Sequence, residues 1–180
     1  MSTLKVDEIL KRTGTGTITI GQSGDTIDLS NPTSVTLNST MKNRPALLVT
    51  NSGNQSIGTA SNTLVTFDTE TIDTNSAFAS NVFTVPSGEG GMYFISLRGA
   101  MQGIDAGEFI QLRIYLNGSA VDFFENRMTA YTTDVEFKFS GSGALNLSAA
   151  DTISYYVYQN SGDSQNLSNA GLYMFKLLGV

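Results

Sequence analysis

Neither cysteine nor histidine occurs anywhere in this sequence. Their absence removes the disulfide, the thiol nucleophile, the Ser-His-Asp triad and the usual zinc and haem ligands within one chain. Tryptophan is also missing, which weakens a saccharide-lectin reading, and there are only three prolines. Charge is scarce as well: Asp, Glu, Lys and Arg make up 14% of the residues, against roughly 25% in an average globular domain. No stretch approaches the ~20 consecutive apolar residues of a membrane span. The N-terminus, MSTLKVDEILKR, has no apolar run of signal-peptide length, so export by assembly or lysis is expected. Held without disulfides, such a chain must rely on core packing, sheet hydrogen bonds or oligomerisation.

What fills the sequence instead is Ser, Thr, Asn and 18 glycines, residues of turns and strands rather than of helices. The 180 residues suffice for one well-packed domain with an extension. The formal net charge of −6 is uneven, with twelve acids against five bases in residues 45–180. An acidic body with scattered bases argues against nucleic acid and anionic membranes as partners, since both require clustered Lys and Arg.

Residues 2–12 are too short to bury an apolar face of their own. Leu4, Val6, Ile9 and Leu10 form a small patch that either docks on something or frays. From Thr13 to Asn38 the chain repeats: TGTITIGQ, DTIDLSN and TSVTLNS each hold a pair of apolar residues at period two (Ile18/Ile20, Ile27/Leu29, Val35/Leu37). Two such residues per segment are too few for a self-contained core. The stretch is either an intertwined shaft built from several chains or a Thr/Gly-rich linker.

From Pro45 the strands lengthen. ALLVTNSG, NTLVTFDT and NVFTVPSGEGGMYFISL carry alternating apolar residues bounded by turn signals, as in an all-β sandwich. In FIQLRIYLNG the residues Ile110, Leu112, Ile114 and Leu116 share one face, and Asn117-Gly118 is a hairpin turn. In TTDVEFKFSG, Val135, Phe137 and Phe139 point inward. TISYYVYQN and AGLYMFKLLGV are apolar or aromatic on both faces. One set, Ile153, Tyr155, Val157, Leu172, Met174 and Leu178, fills the core. The other, Tyr156, Tyr158, Tyr173, Phe175 and Leu177, requires a cover, and a neighbouring subunit or a thicker core would supply it.

Residues 45–180 resemble the jelly-roll heads of the complement C-one-q and tumour-necrosis-factor superfamily. The likeness lies in PALLVTNSG, in Phe67 followed six residues later by Asp73, and in Phe78. It continues through FTVPSGEGGMYFISL, ALNLSAADTISYYVY and the closing AGLYMFKLLGV. The pattern departs where Ala150 stands in a place that is commonly Gly before Asp151, and where Ile95 replaces a usual Phe. The resemblance implies a ten-stranded jelly-roll β-sandwich that trimerises about a three-fold axis, N-termini on one side and loops on the other. Separately, residues 1–30 look like the N-terminal segment of virion structural proteins of marine bacteriophages. That likeness implies a virion attachment segment over 1–44, through Leu4, Val6, Ile9, Leu10, Ile18 and Ile20, ahead of a head domain over 45–180.

The resulting expectation is a non-enzymatic homotrimer on the virion surface. It would be a short tail fibre contacting other virion proteins and a host receptor; the alternatives are a capsid decoration protein and a secreted trimeric ligand of the superfamily. The trimer interface would be Tyr156, Tyr158, Tyr173, Phe175 and Leu177. No cofactor is expected. The acidic pairs Asp68/Glu70, Asp105/Glu108 and Asp122/Glu125 lack the dense ligand spacing of a calcium loop, and no groove marks them for glycoside hydrolysis. SGEGG at 87–91 is a turn rather than a phosphate cradle, because no helix start or Lys follows.

Overall fold

A computed structural model describes residues 45–121, 126–133 and 135–177. The expected attachment residues Leu4, Val6, Ile9, Leu10, Ile18 and Ile20 lie outside the described residues, as do Asp122, Phe123, Phe124, Glu125 and Leu178.

The described chain runs through thirteen strands. The first six are β1 (Ala46–Thr50), β2 (Gln55–Ile57), β3 (Thr63–Leu64), β4 (Thr69–Asp73), β5 (Phe78–Ala79) and β6 (Val82–Thr84). Then follow β7 (Gly91–Ile104), β8 (Phe109–Leu116), β9 (Ser119–Ala120), β10 (Asn126–Thr129), β11 (Val135–Leu147), β12 (Thr152–Gln159) and β13 (Gln165–Lys176). The excess over the ten expected comes from pieces of two or three residues. Two antiparallel sheets result. Sheet A has the order β11-β7-β13-β1-β4 with β2 beside β13, and sheet B has β10-β8-β12-β6-β5 with β3 on β12 and β9 on β8. Successive long strands exchange sheets, as in a jelly roll: β7 lies in A, β8 in B, β11 in A, β12 in B and β13 in A.

Period-two alternation explains the core, because side chains two apart share a face. Tyr93, Ile95 and Leu97 of β7 and Leu172 and Met174 of β13 face inward from sheet A, at most 1% exposed. From sheet B come Ile110, Leu112 and Ile114, with Ile153, Tyr155 and Val157, all fully buried. Phe139 covers Gly99, where an added Cβ would lie 2.5 Å from the ring. That close approach requires glycine at the centre of β7. Phe67 joins the core edge-on to Phe78 at 6.0 Å and beside Tyr155 at 6.4 Å. Asp73 caps the turn between these rings by accepting from the backbone N–H groups of Ala77 and Phe78, each at 2.9 Å. The spacing of Phe67, Asp73 and Phe78 thus has a packing cause.

The 81–97 stretch is strand–turn–strand, but its two strands do not pair. β6 belongs to sheet B and β7 to sheet A, so Val85 to Gly90 form a crossover at the end of the sandwich. Glu89 N–H donates to Pro86 O at 3.1 Å, Tyr93 Oη donates to Glu89 O at 2.7 Å, and Lys176 bridges the Glu89 carboxylate at 3.2 Å. Burial, reinforced by the Glu89 charge, pushes the Tyr93 phenol well above its usual range. By contrast, β8 and β9 form a true hairpin in which Asn117 and Gly118 both have positive φ, 51° and 79°, the geometry that selects Asn-Gly.

One buried polar group stands out. Gln159, fully buried on β12, donates from Nε2 to Ile57 O at 3.1 Å and to Asp163 O at 2.7 Å, and accepts from Ser161 N–H at 2.6 Å. Every bond reaches backbone, so the amide is satisfied inside the core.

Candidate binding faces

A two-sheet sandwich has two outer faces, and here they differ in chemistry. On sheet A the side chains that alternate with the core set form rows across the strands. Ile72, Leu48, Tyr173, Ser96 and Ser142 lie in one row. Ala46, Phe175, Phe94 and Ala144 form the next. Phe94 and Phe175 rings sit 5.3 Å apart, and Ile72 at the edge is 42% exposed. Toward the far end of the strands this face turns polar: the Arg98 guanidinium lies over the Tyr173 ring at 5.4 Å. A cleft of about 490 Å³ opens there between Arg98, Lys138, Phe139, Ser140 and Asn169.

The outer face of sheet B is built on β8, β10 and β12. Tyr156 stands opposite Arg113, and Tyr158 opposite Gln111, which in turn faces Arg127 on β10. Tyr115 and Tyr156 pack at 4.1 Å, and Phe109 stacks on Tyr158 at 5.7 Å with 18° between the rings. Arg127 lies 3.6 Å over Phe109, and Arg113 lies 5.2 Å over Tyr158. Arg113 also donates to Asn62 Oδ1 at 2.8 Å and to Gln111 Oε1 at 2.7 Å. The rings and guanidinium groups therefore form one continuous ladder.

The five residues expected at a single trimer interface are consequently split. Tyr173, Phe175 and Leu177 belong to sheet A, and Tyr156 and Tyr158 point outward from sheet B on the opposite side of the sandwich. Alternation in β12 and β13 marked these residues as outward-facing. It carried no information on which sheet each strand joins. Arg113 and Arg127, which complete the sheet B ladder, carry no local signal in the sequence; what marks them is placement opposite aromatics, which needs the register. Tyr131 is 90% exposed.

The acidic pairs are used locally. Asp68 accepts from Ser52 N–H at 2.8 Å and Ser52 Oγ at 2.6 Å, bonds that hold its carboxyl below the usual range. Glu108 Oε2 accepts from Asp105 N–H at 2.7 Å within a turn. Asp151 accepts from Asn117 Nδ2 at 2.8 Å and from Ser148 N–H at 2.7 Å, which lowers its pKa too. Among the described residues no three His, Cys, Asp or Glu side chains gather into a group able to hold a metal ion.

No family model matches the sequence, and no curated protein matches it. Solved structures do. The globular domain of zebrafish complement 1qA aligns with a TM-score of 0.57 at 20% identity, over 74% of this chain and 98% of that one. Eiger TNF from S. frugiperda aligns at 0.55 and 14% identity, over 75% and 93%. Murine APRIL aligns at 0.54 and 14% identity, over 73% and 98%. At these identities the likeness is one of fold: an all-β jelly-roll sandwich of the kind carried by complement heads and TNF-type ligands.

These matches correct the bacteriophage assignment. Among the proteins that share the fold are a zebrafish complement globular domain, Eiger TNF from S. frugiperda and murine APRIL, which contradict the expected tail fibre, capsid decoration role, virion partners and virion-surface location. The physical reason is specificity. Residues 1–30 are a short Thr/Gly-rich stretch whose alternation recurs in any chain of that composition, whereas the head pattern rests on strands and turns spaced over three-quarters of the sequence.

Proposed function

We propose that this chain is a secreted, homotrimeric ligand of the C-one-q/TNF type, which binds a partner outside the cell through a rigid jelly-roll head. Residues 1–44 serve as a tether ahead of the head over 45–180. The observation that carries this reading is the outer face of sheet A, where Leu48, Phe94, Tyr173 and Phe175 form adjoining apolar rows. Large aromatic side chains arrayed on one face supply the buried area of a subunit interface. The edge strands of sheet A carry both charge signs, Glu70 and Asp73 on β4 and Glu136 and Lys138 on β11, so one copy's edge can meet the next in a closed ring. Three heads on one axis turn weak single contacts into durable attachment through effective concentration.

Mass photometry of the full chain tests the assembly. The expected result is a three-chain particle that persists at nanomolar concentration, and a stable monomer would sink the proposal.

A further inference from the structure

We infer that the outer face of sheet B is a docking surface for an acidic polypeptide, a segment of a partner protein in which carboxylates flank apolar side chains. The observation is a contiguous ladder, Arg127–Phe109–Tyr158–Arg113–Tyr156–Tyr115, laid across β8, β10 and β12. Charge selects the partner. The chain carries a formal net charge of −6, yet the strands of sheet B hold Arg113 and Arg127 and no Asp or Glu. The strands of this sheet present two guanidinium groups on an acidic body, and these attract carboxylates.

Composition points the same way. Tyr and Arg are the residues that dominate binding energy at protein interfaces, where rings exclude water around a charged contact. Both guanidinium groups are already placed: Arg127 over Phe109, and Arg113 over Tyr158 with Asn62 and Gln111 as partners. A group fixed before binding loses little conformational entropy on binding. The planar N–H fork of Arg127 is also matched to a carboxylate, whereas Arg113 already donates from both terminal nitrogens to Asn62 and Gln111. The other residues of this face that alternate with the core set, Gln111, Ser154 and Thr152, are neutral, Gln111 and Ser154 being buried beneath the rings. This surface is on the side of the sandwich away from the aromatic rows of sheet A, and its binding does not depend on the trimer forming.

The test is selection of a displayed random-peptide library on the full chain, followed by affinity measurement of the selected peptides and of heparin. The expected peptides are rich in Asp and Glu interspersed with apolar residues, and their binding weakens steeply with salt. Arg127→Glu and Tyr158→Ser should each weaken them by at least about tenfold while leaving particle mass unchanged. Arg113→Glu should do the same, and Arg127→Glu alone keeps the test decisive if the Arg113 variant misfolds. Neutral or basic selected peptides, or acidic ones insensitive to both Arg127→Glu and Tyr158→Ser, overturn the inference. Heparin binding lost in these variants, with no acidic peptide selected, also overturns it and assigns the face to sulfated polysaccharide. Failure of the trimer with peptide binding intact would sink only the assembly reading.

Discussion

The two outer faces of this sandwich come from the same alternation and have diverged in what they offer. Sheet A presents adjoining rows of apolar and aromatic side chains, with both charge signs on its strands. Sheet B presents rings interleaved with guanidinium groups and no strand carboxylate. Apolar and aromatic rows suit burial against another copy of the chain. Rings interleaved with guanidinium groups suit a different molecule.

The largest expected effect breaks this contrast directly. Phe175→Asp, placing a charge beside Phe94, should convert three-chain particles into monomers by mass photometry, and Tyr158→Asp should leave the mass at three chains. Monomers from Tyr158→Asp alone would place assembly on sheet B, and monomers from both substitutions would place both faces in the interface. A smaller effect compares the loop carboxylates at the two sheets. Asp68 beside β4 and Asp151 before β12 both have lowered pKa values through hydrogen bonds. Their contribution is therefore complete above the unfolded value of about 3.9 and is lost as pH falls through the lower folded values. Urea titrations across pH 5 to 2 should show stability falling below about pH 4, with a shallower fall in Asp68→Asn and Asp151→Asn; identical slopes in wild type and variants would contradict this. The smallest effect concerns Ala150, which has φ of 71°, a left-handed conformation costing a non-glycine residue roughly 1–2 kcal/mol. Ala150→Gly should stabilise the head by about 0.5–1 kcal/mol after the unfolded-state entropy is counted, measured as a shift in denaturant midpoint at constant m.

The sequence made the layers legible and left their assignment open. Alternation in FIQLRIYL, TISYYVYQ and GLYMFK identified the inward residues one by one, because a buried face demands apolar side chains at every second position. The same pattern is blind to which strand lies alongside. Phe83 and Tyr93 are neighbours in the fold, with ring centroids 6.0 Å apart, although their strands sit in different sheets, and no local signal in VPSGEGG distinguishes a crossover from a hairpin. Alternation therefore groups Tyr156 with Tyr173, although β12 lies in sheet B and β13 in sheet A. The sheet B ladder was hidden more deeply, since Phe109, Arg113, Arg127 and Tyr158 come from three strands and meet only through the pairing of β8 with β10 and β12. Asn117 and Asp151, 34 positions apart, could be read as a turn and a solvated acid, and only closure of the sandwich makes them partners.

Gln159 has a consequence for how the chain finds its fold. A strand that slips by one residue moves its whole inward set to the outside, and β12, apolar or aromatic on both faces, would otherwise have little to lose by slipping. In the native register the Gln159 amide meets Ile57 O, Asp163 O and Ser161 N–H. In the slipped register Tyr158 would occupy its place and those backbone groups would be stranded without a partner, at about 1–3 kcal/mol each. A single polar side chain in the core thereby proofreads the pairing of the strand whose sequence is least able to specify it.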